Sequence, residues 1–431
     1  MKRLMILFGI LLLTAAPLPA QNNLNARTIA HLNSYAISAR GWEAIGNNPA
    51  TLGYYHQPLS INFGFLPLVS APSLELGNSS LSMSLLNNEF FIGEQLSESN
   101  KKALLDAIPT DGMEGYLRLN QNILTLGKGH FAFGLGVETY AGASIPKSII
   151  ELGLVGNEFD KPINFDDIQV EALGFVRFSM NYGREFRHEV IQSTVKRLYW
   201  GAGVDILFGG VYERIDKMAG EITTYTDHIT IKGDAEAKAG AGGMGFGLDF
   251  GVAADINDKI SAGIHFQNLI SHINWGTMNI DLEDGESTQK AEYSYSIDLM
   301  SSQFFDEDVD SLLEDGINKD TTYAIKSFGS SIPGGYNING TYKFNDKIKF
   351  NAAIYGHFTN DFGLTRVPNV SVSTNYSPVK WWPLILGIGT VRQNDFAWSF
   401  GTGLNFDKYH LDFGLMQYGG MFNFSKGFFI A

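Results

Sequence analysis

Met244-Gly245-Phe246-Gly247-Leu248-Asp249-Phe250-Gly251-Val252-Ala253-Ala254-Asp255 is the stretch whose reading decides the fold. Met244, Phe246, Leu248, Phe250, Val252 and Ala254 alternate without a break with Gly245, Gly247, Asp249, Gly251, Ala253 and Asp255. Successive side chains of a β-strand point to opposite faces, so this strand has one bulky apolar face and one small polar face. The same pattern recurs. Trp200, Ala202, Val204, Ile206 and Phe208 alternate with Gly201, Gly203, Asp205, Leu207 and Gly209, and Val176, Phe178, Met180 and Tyr182 with Arg177, Ser179, Asn181 and Gly183. Further strands are expected over Leu59–Phe65, Phe131–Val137, Ile260–Phe266, Ile348–Phe358, Phe396–Leu404 and Tyr409–Leu415.

A soluble sandwich also alternates, so the bulk on each face matters. Here one face carries Phe, Trp, Tyr, Leu and Ile. Aromatic residues such as Trp381, Trp382, Trp398 and Tyr409 fall near strand ends, where a barrel has its interfacial girdles. The chain has 48 Gly, 31 Phe and 18 Tyr but only 18% charged residues. After the N-terminus, no run approaches the ~20 apolar residues of a membrane-crossing helix. A membrane protein without such a run crosses with a closed barrel, in which every backbone hydrogen bond is internal. The expected fold is all-β: a transmembrane antiparallel barrel of about 14 strands, within the range 12 to 16. Small residues on its inner face suit a tightly curved wall or a lumen with material packed inside.

The N-terminus sets the compartment. Lys2 and Arg3 precede an apolar run, Leu4 to Leu13, and small residues up to Ala20, the pattern of a secretory signal peptide over residues 1–20. Cleavage after Ala20 leaves Gln21 as the mature start, with a cut after Ala16 as the alternative. Zero Cys excludes disulfides, thiolate metal sites, thiol nucleophiles and a lipid-anchored cysteine. The formal charge of −14 argues against nucleic acid as a partner.

Asp255-Ile256-Asn257-Asp258, Asn345-Asp346 and Asn405-Phe406-Asp407-Lys408 read as tight turns, placed on the periplasmic side. Longer polar inserts at about 86–115, 141–168, 270–290 and 300–320 are expected outside the cell. Two of these carry helical spacing, at Ser99–Ile108 and Ser301–Asp315. One barrel domain is expected over 56–431, after a separate segment at 21–55.

Gly240-Ala241-Gly242-Gly243-Met244-Gly245 has dinucleotide-loop spacing, but it leads into a strand and not a helix N-terminus, so it reads as wall. The acidic stretch Asp306, Glu307, Asp308, Asp310, Glu314, Asp315 lacks the glycine and ligand spacing of a Ca²⁺ loop and reads as solvated. Nine His and the scattered Ser show no pairing of triad type. The expectation is a protein that is not an enzyme and has no cofactor, metal or catalytic residue.

The most specific feature is Ala39-Arg40-Gly41-Trp42-Glu43-Ala44-Ile45-Gly46-Asn47-Asn48-Pro49-Ala50-Thr51-Leu52-Gly53, which is neither strand-like nor helical. Asn-Pro ends any helix begun near Ser38. An exported chain with Asn48-Pro49-Ala50 before its first strand resembles the FadL-type outer-membrane long-chain fatty-acid transport barrels, a superfamily that includes secretion-associated and uncharacterised relatives. In that family the signature lies in an N-terminal hatch inside a 14-stranded barrel. Thr51 departs from the Gly that commonly follows, and the end Phe428-Phe429-Ile430-Ala431 lacks the usual terminal aromatic. The resemblance implies an outer-membrane location and passive uptake or binding of small hydrophobic molecules. Its implied partners are outer-membrane lipid and a hydrophobic ligand. The alternative is a non-transporting scaffold or secretion-accessory barrel that docks other envelope proteins. Residues 21–55 are then either a hatch or a plain periplasmic lead-in.

Overall fold

The computed structural model describes residues 25–54, 58–64, 72–90, 96–166, 168–187, 195–278, 287–300, 317–392, 395–406 and 409–431. The expected signal peptide, the acidic stretch with its helix at Ser301–Asp315, and Asp407-Lys408 lie outside these residues.

Fourteen antiparallel strands close into a ring. In chain order they are β1 (Ser73–Asn78), β2 (Met113–Lys128), β3 (Phe131–Ile145), β4 (Gln169–Phe186), β5 (Arg197–Thr224), β6 (His228–Asp255) and β7 (Ile260–Trp275). The second half continues with β8 (Gly335–Lys343), β9 (Ile348–His357), β10 (Asn369–Val379), β11 (Trp382–Val391), β12 (Asp395–Phe406), β13 (Tyr409–Tyr418) and β14 (Gly427–Ile430). Each strand pairs with its sequence neighbours, and Gly427 of β14 pairs with Tyr418 of β13 on one side and with Gly77 of β1 on the other, which closes the ring. No described helix is long and apolar enough to cross a membrane.

The alternation decides which way each strand faces. Val204 is 44% exposed and Asp205 beside it 2%, and Phe246, Phe250, Ile354, Val372 and Leu386 likewise stand on the outside. Had the register slipped by one residue, every one of these would face the lumen. Aromatic rings collect at the end with the short turns: Trp381 stacks on Trp382 and on Phe406, Phe344 meets Tyr342 and Phe350, and Tyr182 meets Phe131 and Trp200. Trp398 lies toward the opposite end, against Phe422. The dinucleotide-like glycines lie within β6, as strand.

The inserts differ from expectation in extent. The helix expected at Ser99–Ile108 is Glu98–Ala107, capped by the Ser97 hydroxyl and packed through Leu104 onto Leu81 and Ile108. The insert placed at 141–168 starts later, because β3 runs to Ile145. Ala-Gly-Ala-Ser offers too little contrast between faces to read as strand, and an unforeseen helix, Lys147–Val155, follows. The expected first strand is Ser60–Phe63, which pairs only with the lower part of β2; Phe65 lies outside the described residues. β5 and β6 have 28 residues each, where ~9–11 suffice to cross a bilayer. Their upper halves carry charge such as Lys217, Asp234, Glu236 and Lys238 and continue outside the membrane, joined by strands Thr288–Met300 and Ile317–Ala324. Water on both faces removes the apolar signal that marks a bilayer-facing strand.

Candidate functional site

Residues 25–54 lie against the inward faces of strands all around the ring. The segment is a chain of short helical turns: Ala26–Ala30, capped by the Asn25 side chain, then Ala36–Ser38, Gly41–Ala44 and Pro49–Gly53. Such turns satisfy backbone groups locally, as a segment without sheet partners requires.

Asn48, Pro49 and Ala50 are buried, and the wall there is built to receive them. The Asn48 carbonyl-type Oδ1 accepts from the Ala50 amide at 2.9 Å, while its Nδ2 donates to the backbone carbonyls of Val252 on β6 at 3.2 Å and Ile264 on β7 at 3.3 Å. The Thr51 hydroxyl donates to the Asn48 carbonyl at 2.8 Å, so the residue that departs from the family pattern closes the turn. Gly183, Gly201 and Gly251 sit in one row across β4, β5 and β6. A methyl group on any of them would overlap the Pro49 carbonyl or the Asn48 amide. Gly127 is pressed in the same way against Trp42, Gly401 against Ala30 and Gly414 against Ala26. The Gly-rich inner face is therefore where residues 25–54 lie directly on the main chain of the wall. Gly251 faces the lumen as its parity predicts, yet the lumen is solid there.

Charged contacts tie the segment down. Arg27 bonds Glu43 at 3.3 Å, Asp412 of β13 at 3.0 Å and Asn405 at 3.1 Å, and the Tyr35 hydroxyl donates to Glu43 at 2.8 Å. The Arg40 guanidinium lies 3.8 Å over the Tyr54 ring. His31 Nδ1 meets the Ser373 hydroxyl at 2.7 Å. Burial, helped by the positive charges of Arg27 and Lys349, pushes the His31 imidazole down to about 3, so it is neutral at pH 7.

Above this level the lumen is filled by side chains. Arg177 of β4 clasps Glu138 of β3 through two bonds of 2.6 and 3.0 Å, and also bonds Asp205 of β5 and Asn268 at 2.9 Å. Glu75 of β1 lies between Arg118 at 3.0 Å and Arg392 at 2.7 Å. Higher still is an apolar cluster of Tyr140, Leu173, Phe175, Leu207, Tyr212, Ile273, Trp275, Ile332, Phe362 and Leu364, with Phe328 against it. Phe362 comes from the loop between β9 and β10, on the opposite side of the ring from β2 and β3. The loop crosses the mouth: Phe362 packs 5.7 Å from Tyr140 of β3, its carbonyl accepts from Arg118 of β2 at 3.2 Å, and its amide donates to Glu171 of β4. A left-handed backbone at Phe362, φ 58°, turns the side chain inward.

Cavities beside residues 25–54 are small, about 20, 70 and 30 Å³, with Asp249, His265, Asn337, His357 and Arg392 among their walls. Among the described residues no three His, Cys, Asp or Glu side chains converge as a metal site. The sequence singled out Asn48, Pro49 and Ala50, which the structure brings into one place with the glycine rows. It missed the Phe362 loop, which has no signature, and the Arg177 layer, whose members lie on four separate strands; the one clue was a lone Arg on an otherwise small polar face.

A model of the family of unknown function DUF5723 matches residues 57–241 and 234–416. No curated protein matches the chain. Among solved structures it is similar to a FadL homologue from Pseudomonas aeruginosa, with 12% identity over 96% of this chain and 95% of that one and a TM-score of 0.47. It is also similar to the Pseudomonas putida toluene transporter TodX, with 10% identity over 96% of each chain and a TM-score of 0.43. A third is the CymD monoaromatic hydrocarbon channel, at 10% identity over 95% and 91%, TM-score 0.39.

Proposed function

The chain belongs to the DUF5723 family, and for this member we propose passive uptake or binding of small hydrophobic molecules through an outer-membrane barrel. The observation that carries this reading is the aromatic cluster at the extracellular end of the lumen, with Phe362 and Leu364 of a loop standing in it. A small apolar ligand that displaces these two side chains finds Tyr140, Phe175, Tyr212 and Trp275 around it and loses its contact with water, the main driving force for such binding. Beneath it the buried Arg177 layer offers nothing to an uncharged ligand. Onward passage requires residues 25–54 to leave the glycine rows, which makes them the hatch, with Asn48-Pro49-Ala50 as its latch.

Phe362→Ala, which shortens the stopper and leaves the wall untouched, tests this. Uptake of radiolabelled toluene by cells expressing the variant, whose lipopolysaccharide-bearing outer membrane slows passage of apolar molecules, is expected to rise severalfold over cells expressing the unmodified protein. Equal and negligible uptake by both, with the barrel intact by heat-modifiable gel mobility, overturns the reading.

A further inference from the structure

The outer face of the wall carries a depression of about 630 Å³ between β7 and β11. None of residues 25–54, which fill the inside at this level, lines it, so it opens outward. Its floor is a row of small residues on three successive strands, Ala262, Gly340 and Ala352, in direct register. Its rim is apolar: Tyr342 and Phe350 in the row nearer the turns, with Val372 and Ile388 continuing the floor row. Gly340 differs from the lumen glycines in one respect. A methyl group built on it would meet only the Ser261 carbonyl oxygen, at an ordinary 3.6 Å. Nothing inside the protein requires a glycine there, and glycine in mid-strand weakens a strand. The hollow is thus shaped for something outside the wall.

Three lysines stand beside it at the near end of the same strands: Lys259 on the β6–β7 turn, Lys347 on the β8–β9 turn and Lys380 on the β10–β11 turn. All three are exposed and none forms an ion pair among the described residues, whereas Asp258 beside them is taken by Lys196 and Asp346 by Lys343. Ala262, Gly340 and Ala352 lie two to four residues from the ends of β7, β8 and β9, and Val372 and Ile388 six or seven from those of β10 and β11, or ~7–24 Å, within the length of an acyl chain below its phosphate. We propose that the depression is a binding site for one anionic phospholipid of the periplasmic leaflet, an acyl chain lying along Ala262, Gly340 and Ala352 and the phosphate against Lys259, Lys347 and Lys380. Charge complementarity selects this occupant: an apolar hollow capped by unpaired cations fits an acyl chain carrying an anionic head.

Native mass spectrometry of the detergent-purified barrel, titrated with phosphatidylglycerol and with phosphatidylcholine of the same chains, provides the test. One phosphatidylglycerol is expected to be held at least ~10-fold more tightly than phosphatidylcholine. The double variant Gly340→Leu, Ala352→Leu fills the hollow and is expected to weaken both lipids ~10-fold, since several buried methylene contacts are lost. The triple variant Lys259→Gln, Lys347→Gln, Lys380→Gln is expected to abolish the preference and leave phosphatidylcholine binding as it was. Equal lipid binding by the filled variant and the unmodified protein overturns the site. So does a chain dimer that the filled variant disperses without change in bound lipid. If the filled variant gives no heat-modifiable barrel, the lysine variant decides alone, and a preference it fails to change overturns the proposal.

Discussion

The lower and upper halves of the lumen are both full, but they are filled in opposite ways. Below, the wall presents Gly127, Gly183, Gly201, Gly251, Gly401 and Gly414, and the space is taken by the main chain of residues 25–54. Above, the wall presents Arg177, Glu138, Tyr140, Phe175 and Trp275, and side chains of the wall itself meet across the space with Phe362 between them. The first filling supplies no strand to the ring, and its partners are backbone surfaces and a few side chains. The second is part of the strands. The proposed hatch therefore belongs to the glycine-lined half and wall stability to the other.

The largest effect is expected above. Arg177→Met leaves Glu138 and Asp205 buried without their cation, which costs ~3–5 kcal/mol and lowers the denaturant midpoint of the barrel while Arg27 and Arg40 stay protected from trypsin. An unchanged midpoint would break the comparison from that side. Gly201→Leu acts below: overpacking against Pro49 costs ~1–3 kcal/mol, released by expelling residues 25–54, so trypsin cleaves at Arg27 or Arg40 in a barrel that still runs as the heat-modifiable form. Asn48→Ala removes the two bonds to β6 and β7 and the one to Ala50, for ~1–2 kcal/mol, and is expected to give a partial version of the same cleavage.

A last effect is set by pH and grows as the pH falls. His31 is seated neutral at about 3, below the ordinary 6.5, so the released segment takes up a proton first. Stability of the seated segment is full above pH 6.5 and falls as the pH drops toward 3, by up to ~1.4 kcal/mol per unit. Protection from a protease active at both values is expected to be weaker at pH 5 than at pH 7.5, and His31→Gln is expected to reduce that difference. A variant with the same pH dependence as the unmodified protein would place the titration elsewhere.

By itself the sequence determined the barrel, its faces and the place of the Asn-Pro-Ala turn. These rest on local facts: a period of two that only a strand sustains, and a proline that sets its own φ and restricts its neighbour. Glycine in place of larger polar residues on the inner face was legible too, as either a tightly curved wall or room for something inside. Only the tertiary structure decided what takes up that room and where the lumen changes character. Gly201 and Gly340 are the same residue in the same alternating pattern, and only the fold shows that one lies under Pro49 and the other opens on the outside. Phe362 and Tyr140 meet because their strands face each other across a closed ring, and Arg177 finds Glu138 and Asp205 because neighbouring strands are in register. Periodicity is a property of neighbours along the chain, whereas these contacts depend on ring closure, which brings together residues tens to hundreds of positions apart.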